Sequence, residues 1–336
     1  MQLDHYLRGS LPEVPRVARE LEATGFDGLY TAEGPHEPFL PLLLASEHTT
    51  RPLLFTNIAV AFARSPMDLA VASNDLQRLS GGRFVLGLGS QIRPHIQNRF
   101  SMPWSRPVAR MREMVEAIRT IHRAWNERVP LEFRGELYRH TLMTPFFDPG
   151  PNPHGAPPIW VAGLGPRMTT AAAEVGDGLL IHPFHSARFV HEHVTPAVEI
   201  GLARVRRPRT EFTVSATPIV CTGSTDAEVA SAVDSVRRLL AFYGSTPAYR
   251  VSLEPHGWGE LQTELNALTK QGRWDDIMKL IDDEVLDTLA VCGAPREIGR
   301  LVAARYAGAV DRVGLSMPYA TTADTIGEVV AGFRDA

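Results

Sequence analysis

An α/β barrel of the TIM (β/α)8 class is the fold this sequence predicts, and three observations predict it. Short apolar segments alternate with amphipathic helical segments along almost the whole chain. About eight such pairs can be read, which favours a closed parallel barrel over an open sheet. The run from Leu53 to Pro94 reads strand, helix, glycine turn, strand, and closes on Gly87-Leu88-Gly89-Ser90-Gln91. Small residues at a strand end leave room for a ligand beside the backbone, and strand ends are where barrels keep their chemistry.

The elements follow in order. Residues 2–7 read as the first strand and 11–24 as a helix that Gly25 ends; 28–31 is the second strand and 39–49 its helix. Strand 53–60 precedes helix 66–79, which Pro66 opens at the position where a missing N–H costs least. Strand 84–89 is followed by a long connection and then helix 107–125. Segments 159–162, 178–182 and 212–221 read as strands, each leading into a helix, at 169–175, 187–205 and 226–243. Strand 288–292, helix 296–306, strand 310–315 and helix 325–333 complete the alternation. Two stretches interrupt it. Residues 128–158 are rich in Pro and Gly, and 245–284 hold Trp258 and Trp274 with short helical pieces. Both read as insertions into a single domain spanning 1–336.

Composition bounds the function. At 44% hydrophobic and 21% charged residues the chain is an ordinary globular protein with ample core. A formal net charge of -4 argues against nucleic acid as its main partner. No apolar run has the length of a membrane span, and MQLDHYLRG lacks the basic-then-apolar plan of a signal peptide, so a cytoplasmic location without membrane contact is expected. Cys221 and Cys292 sit in apolar runs and read as buried thiols, with no disulfide framework or metal site. Neither nucleotide fingerprint, G-x-G-x-x-G or G-x-x-x-x-G-K-[ST], occurs in its required context.

The residues then become more specific. The runs FTNIAVAFARSP, LQRLSGGRFVLGLGSQIRPHIQNRF and IWVAGLGPRMTTAAAEVGDGLL resemble the luciferase-like flavin and deazaflavin oxidoreductases, and are most similar to the branch that uses coenzyme F420. The resemblance covers nearly the whole chain. It implies an insertion-bearing, bacterial-luciferase-like TIM barrel that transfers a hydride between F420 and a small organic substrate, and a homodimer. FMN is the alternative cofactor, with FMN-dependent monooxygenation as the alternative activity. A non-catalytic flavin- or deazaflavin-binding protein is the alternative of another class. The family sets its ring against the end of the third strand, often at a cis non-proline peptide, which maps onto Asn57-Ile58. Its polar cofactor contacts map onto Ser90, Gln91 and His95. The cofactor phosphate maps onto Gly163, Leu164, Gly165, Arg167 and Met168, where a strand ends, Pro166 has no N–H to donate and a helix begins. Free backbone N–H groups and the helix dipole favour an anion there.

The departures bear on mechanism. Sugar-phosphate dehydrogenase members carry Gly-Glu after the fourth strand, the glutamate accepting a proton; here the pair is Gln91-Ile92. They carry Asp-His after the second strand; here Glu33 falls on the aspartate and Gly34 on the histidine, with His36 two residues on. Sugar-phosphate oxidation is therefore not expected. Glu33 and His36 remain as candidate catalytic groups, weighed against a loop ion pair for Glu33 and a turn for His36. Phe39, Trp104 and Trp258 are the candidate substrate-lining aromatics.

Overall fold

Eight parallel strands close on themselves in the computed structural model, which describes residues 1–336. They are β1 (Gln2–Tyr6), β2 (Gly28–Thr31), β3 (Leu53–Thr56), β4 (Phe84–Gly89), β5 (Ile159–Gly163), β6 (Gly178–Ile181), β7 (Thr213–Ala216) and β8 (Arg312–Leu315). The ring runs in chain order, and β1 pairs with β8 to complete it. The helices around it are α1 (Val14–Thr24), α2 (Phe39–His48), α3 (Pro66–Leu79), α4 (Pro107–Glu127), α5 (Pro166–Val175), α6 (Thr195–Val205), α7 (Asp226–Gly244), α8 (Pro295–Tyr306) and α9 (Ala323–Arg334). Pro66 does open α3, and Ser65 and Asp68 form a capping box there. Between the helices and the strands lies the main apolar core, which includes Leu3, Leu29, Leu54, Leu86, Val161, Leu179 and Val313.

The barrel interior is a separate, aromatic layer. Tyr30, Phe55, Val85, Trp160 and Leu180 form it, with Tyr30 5.4 Å from Phe55 and Phe55 5.2 Å from Trp160, ring to ring. Such bulk fits because neighbouring strands present glycine. A Cβ on Gly314 would lie 2.8 Å from Tyr30, and one on Gly178 2.6 Å from Trp160. Below the rings, Arg312 of β8 forms a bidentate pair with Asp4 of β1; Asp4 is fully buried. Gly28 makes room for that pair, since a Cβ there would lie 2.7 Å from the Arg312 guanidinium and closer still to the Asp4 carboxylate. Burial pushes the Asp4 carboxyl up and the Arg312 charge opposes it.

Three expectations are corrected by the topology. Residues 288–292 do not join the barrel: Ala290–Cys292 pairs with Ile219–Cys221 in a small parallel sheet beyond the C-terminal ends of β7 and β8. Segment 212–221 is accordingly two strands, broken at Thr217-Pro218, where proline cannot donate to a ladder. Segment 53–60 is likewise broken, by a cis peptide at Asn57-Ile58, before Ala59–Val60 rejoins β4. Nor do Gly87 and Gly89 clear space for a ligand. Added Cβ atoms there would run into the Thr56 carbonyl and the Ile58 side chain.

The two insertions differ in kind. Residues 128–158 leave the lower end of α4, yet the hairpin Phe133–Arg134/Arg139–His140 climbs back to its upper end. There Glu113 accepts from the Leu137 and Tyr138 N–H groups at 2.6 and 2.5 Å, and Arg110 donates to the Tyr138 hydroxyl at 2.7 Å. Residues 245–284, with Gly259–Lys270 and Trp274–Lys279 helical, build a second apolar core with α7 around Phe184, Val236, Leu240 and Leu265. No helix is long and apolar enough to cross a membrane.

Two outcomes are expected. Gly28→Ala displaces the buried ion pair and lowers unfolding free energy by about 2–4 kcal/mol in urea titrations; Asp4→Asn, which strands the arginine charge, costs about 3–5 kcal/mol. Burial also lowers His5, His122 and His185, each to about 4 from 6.5, so they are neutral in the fold and bind protons on unfolding. Their stability contribution is complete above pH 6.5 and falls as pH drops from 6.5 to about 4. Each steepens the decline by up to about 1.4 kcal/mol per pH unit. Urea midpoints measured from pH 7 to pH 4 check the slope.

Candidate functional site

The strands end together at one face, and the residues there come from neighbouring strand ends in ring order. Ala32 and Glu33 follow β2, Asn57 and Ile58 follow β3, Ser90 and Gln91 follow β4, Leu164 to Arg167 follow β5, His182 follows β6 and Thr217 follows β7. Strand ends of this face are the place for ligand chemistry in the fold. Asn57 lies at the cis bond; its N–H donates to Thr31 at 2.6 Å, and its side-chain amide reaches across the barrel to the Thr217 hydroxyl at 3.2 Å. β3 and β7 are opposite members of the ring, so this bond spans the mouth and lies over the aromatic layer.

Glu33 is committed to backbone and ion pair. Its N–H donates to the Ile58 carbonyl at 3.0 Å, while its carboxylate accepts from the Val60 N–H at 2.7 Å and from Arg64 at 2.5 Å. The side chain is 7% exposed. It therefore fixes the chain just after the strand break. His36 lies exposed on the same loop with no hydrogen-bond partner in the protein, and the Gly34 carbonyl of this loop accepts from Arg99. That contact joins the loop after β2 to the one after β4, where His95 opens a π-helical turn, His95–Arg99, anchored by the buried Ile96. His95 itself is exposed.

Gln91 has φ 56°, a left-handed conformation that disfavours a side chain, and its side-chain Oε1 accepts from the Ile92 N–H at 3.0 Å. The glycine found at this place in the sugar-phosphate dehydrogenases suits that conformation; here the side chain compensates for it. Ser90 donates to the Gln91 carbonyl at 3.1 Å.

After β5 the chain forms an anion nest. Gly165 is the N-cap of α5, and the Leu164, Gly165 and Arg167 N–H groups find no acceptor in the protein. A side chain on Gly165 would meet nothing within 4 Å, so space opens directly above these donors. Arg167 is exposed and unpaired, whereas Met168 is half-buried and its N–H donates to the Gly165 carbonyl at 3.1 Å. Gly163 is set by packing: a Cβ would lie 3.0 Å from the Thr169 hydroxyl. Unpaired N–H groups at a helix start with an adjacent guanidinium suit a phosphate.

The three aromatics do not converge. Phe39 is buried in the main core, 6.4 Å from Phe84 with Arg64 over its ring, at the inner wall of a 490 Å³ groove between α2 and α3 that Leu43 and Leu76 also line. Trp104 sits edge-on to Phe62 at 5.8 Å before α4, and Trp258 stacks on His256 at 4.9 Å in the second insertion.

Two tyrosines enter that the sequence did not single out. His182 is flanked by Tyr249 at 4.3 Å and Tyr243 at 4.8 Å, both carried over the mouth by α7 and the second insertion. Its Nδ1 accepts from the Phe184 N–H at 3.1 Å, which leaves the proton on Nε2, and burial holds its pKa down at about 3. The His182 carbonyl accepts from His185 Nδ1 at 2.7 Å, and His185 Nε2 faces the Tyr306 hydroxyl at 3.0 Å. Two-residue alternation from Leu180 in β6 was the available signal for His182; nothing local pointed to the tyrosines.

Comparison with known proteins accords with this geometry. The family model for luciferase-like monooxygenases matches residues 2–312. An uncharacterised protein of Mycobacterium tuberculosis strain H37Rv is 49% identical over 334 residues, covering 99% of this chain and 98% of that one. A 5,10-methylenetetrahydromethanopterin reductase of Archaeoglobus fulgidus is 31% identical, covering 70% of this chain and 67% of its own. A putative coenzyme F420-dependent oxidoreductase of M. tuberculosis is 30% identical over 81% of each. The solved F420-dependent tetrahydromethanopterin reductase of Methanopyrus kandleri superposes with a TM-score of 0.79 over 98% of this chain and 96% of that one, at 17% identity, and so shares the fold. The chain belongs to the luciferase-like monooxygenase family, whose relatives of this chain include F420-dependent oxidoreductases.

Proposed function

We propose that this protein is an oxidoreductase that moves a hydride between coenzyme F420 and a small organic substrate at the C-terminal mouth of the barrel. The observation that carries the reading is the nest at the start of α5, where three unpaired N–H groups and the free Arg167 guanidinium surround open space over Gly165. A phosphate-bearing cofactor fits that donor set. The names of the relatives favour a deazaflavin over other phosphate-bearing rings. When bound, the deazaflavin supplies a ring carbon that accepts or releases the hydride.

The chain's own part is positioning and proton handling. Leu164, Gly165 and Arg167 would hold the phosphate, with Gly163 and Met168 shaping the turn, and Asn57, Ile58, Ser90, Gln91 and His95 would face the ring. Glu33 is a positioning residue: through the Val60 N–H and Arg64 it fixes the backbone that follows Asn57. His36, exposed and unpaired on the rim, is the proton donor or acceptor for the substrate. His182, neutral with its proton on Nε2, offers a hydrogen bond from the tyrosine-lined wall. The apolar residues exposed on α2 and α3, Leu40, Leu43, Val71 and Leu79, support a homodimer, which light-scattering molar mass tests. The second reading is an FMN-dependent monooxygenase, favoured by the family's description.

Titration of the purified protein with F420 and with FMN, followed by tryptophan fluorescence, separates the two. F420 is expected to bind; binding of FMN alone would replace the deazaflavin reading with the monooxygenase one. Gly165→Asp, which adds a negative charge to the nest, is expected to weaken F420 binding at least about 10-fold, and Arg167→Ala about 3–10-fold, with Tm unchanged.

With reduced F420 and a panel of enones and imines, stopped-flow absorbance tests turnover. His36→Ala is expected to lower kcat by about 10²–10⁴ with little change in cofactor Kd. Glu33→Gln should do the reverse, raising Kd and lowering Tm while sparing most of kcat. Hydride transfer to no member of the panel would leave a binding protein.

A further inference from the structure

Cys221 and Cys292 are the only cysteines of the chain and lie far apart in sequence, yet the fold sets them side by side. They end the two strands of the small parallel sheet in one register, Ile219 against Ala290, Val220 against Val291, Cys221 against Cys292. Residues paired in this way point to the same face with strands about 4.8 Å apart, and a disulfide spans Cα separations of about 4.4–6.8 Å. Both thiols are free. Each perturbs the other: the neighbouring thiol holds Cys221 below its ordinary range and pushes Cys292 up. Cys221 is buried and Cys292 partly exposed, so Cys292 is the sulfur that a dissolved oxidant meets first.

We propose that Cys221 and Cys292 form a reversible disulfide when the protein meets a peroxide. The Cys292 sulfur attacks one peroxide oxygen, the O–O bond breaks, its thiol proton goes to the departing oxygen, and one water leaves with a sulfenic acid on Cys292. The Cys221 sulfur then attacks that sulfenic sulfur, the S–O bond breaks, the thiol proton goes with the departing oxygen, and a second water leaves. Two thiols lose two electrons and two protons together, and one peroxide is reduced to two waters. A dithiol reverses the change.

The pair's position gives the bond a structural effect. The Cys221 strand runs directly into the cap of α7, and the Cys292 strand into α8. The chain between them carries α7 and the second insertion, whose Tyr243 and Tyr249 wall His182 at the mouth. The sheet is already seated by Tyr319, whose hydroxyl donates to Val220 and accepts from Thr222, both at 2.9 Å. A covalent link here closes a loop of roughly 70 residues and ties the roof of the site to itself. This inference stands independently of the cofactor.

The test uses the full-length reduced protein treated with one equivalent of hydrogen peroxide, denatured in N-ethylmaleimide and weighed intact and as non-reduced peptides. A loss of about 2 Da, a peptide linking Cys221 to Cys292 and full recovery of two alkylated thiols after dithiothreitol are expected. Two alkylatable thiols after treatment, or a sulfinic acid in place of the linked peptide, would overturn the proposal. The linked form is expected to melt about 5 °C or more above the reduced one, a shift that Cys292→Ala abolishes. A linked protein with unchanged Tm would sink the roof-tying effect.

Discussion

The Asp4–Arg312 pair is the constraint around which the barrel is arranged. It joins the first strand to the last inside the ring, with both charges removed from water. A buried charge left alone is costly, so the two residues hold each other only where β1 and β8 sit in one register. The room for them comes from Gly28, and the rings stacked above take theirs from Gly178 and Gly314. Large and small residues alternate around the interior as one set. Moving one strand by a residue would bring a side chain into a place that only glycine fits.

On this rigid base the mouth is built from backbone as much as from side chains. The break in β3, the left-handed Gln91 and the glycines after β5 are all departures from regular strand, and all lie at the C-terminal ends. Glu33, Arg64 and Arg99 hold these departures in place from the loops. The first insertion braces the same end from outside, since its hairpin is clamped to the start of α4 by Glu113 and Arg110.

The barrel and its strand–helix alternation were legible because parallel strands are short, apolar and separated by amphipathic helices. The place of residues 290–292 was not. Residues 290–292 carry the same apolar signature as a barrel strand, and only pairing partners distinguish a strand in the ring from one beyond it. Gly87 and Gly89 show the same limit: a glycine tells that something approaches closely, not whether it is a ligand or the chain's own Thr56 and Ile58. The nest after β5 was legible, because two glycines, a proline and a helix start leave N–H groups free whatever the rest of the fold does. Phe39, by contrast, sits at the end of a helix whose apolar residues run nearly all round, and sequence gave no face to it. The tyrosines over His182 come from a segment more than sixty residues downstream, beyond the reach of any local pattern.

The Asn57–Thr217 bond across the mouth has a consequence for proton supply. Beneath it lie packed aromatic rings and a buried ion pair, which fill the interior of the barrel. In the proposed reaction, protons would cross the loop side, past the rim where His36 and His95 are exposed. Reactants and protons would then share one entrance, and whatever covers it would govern both.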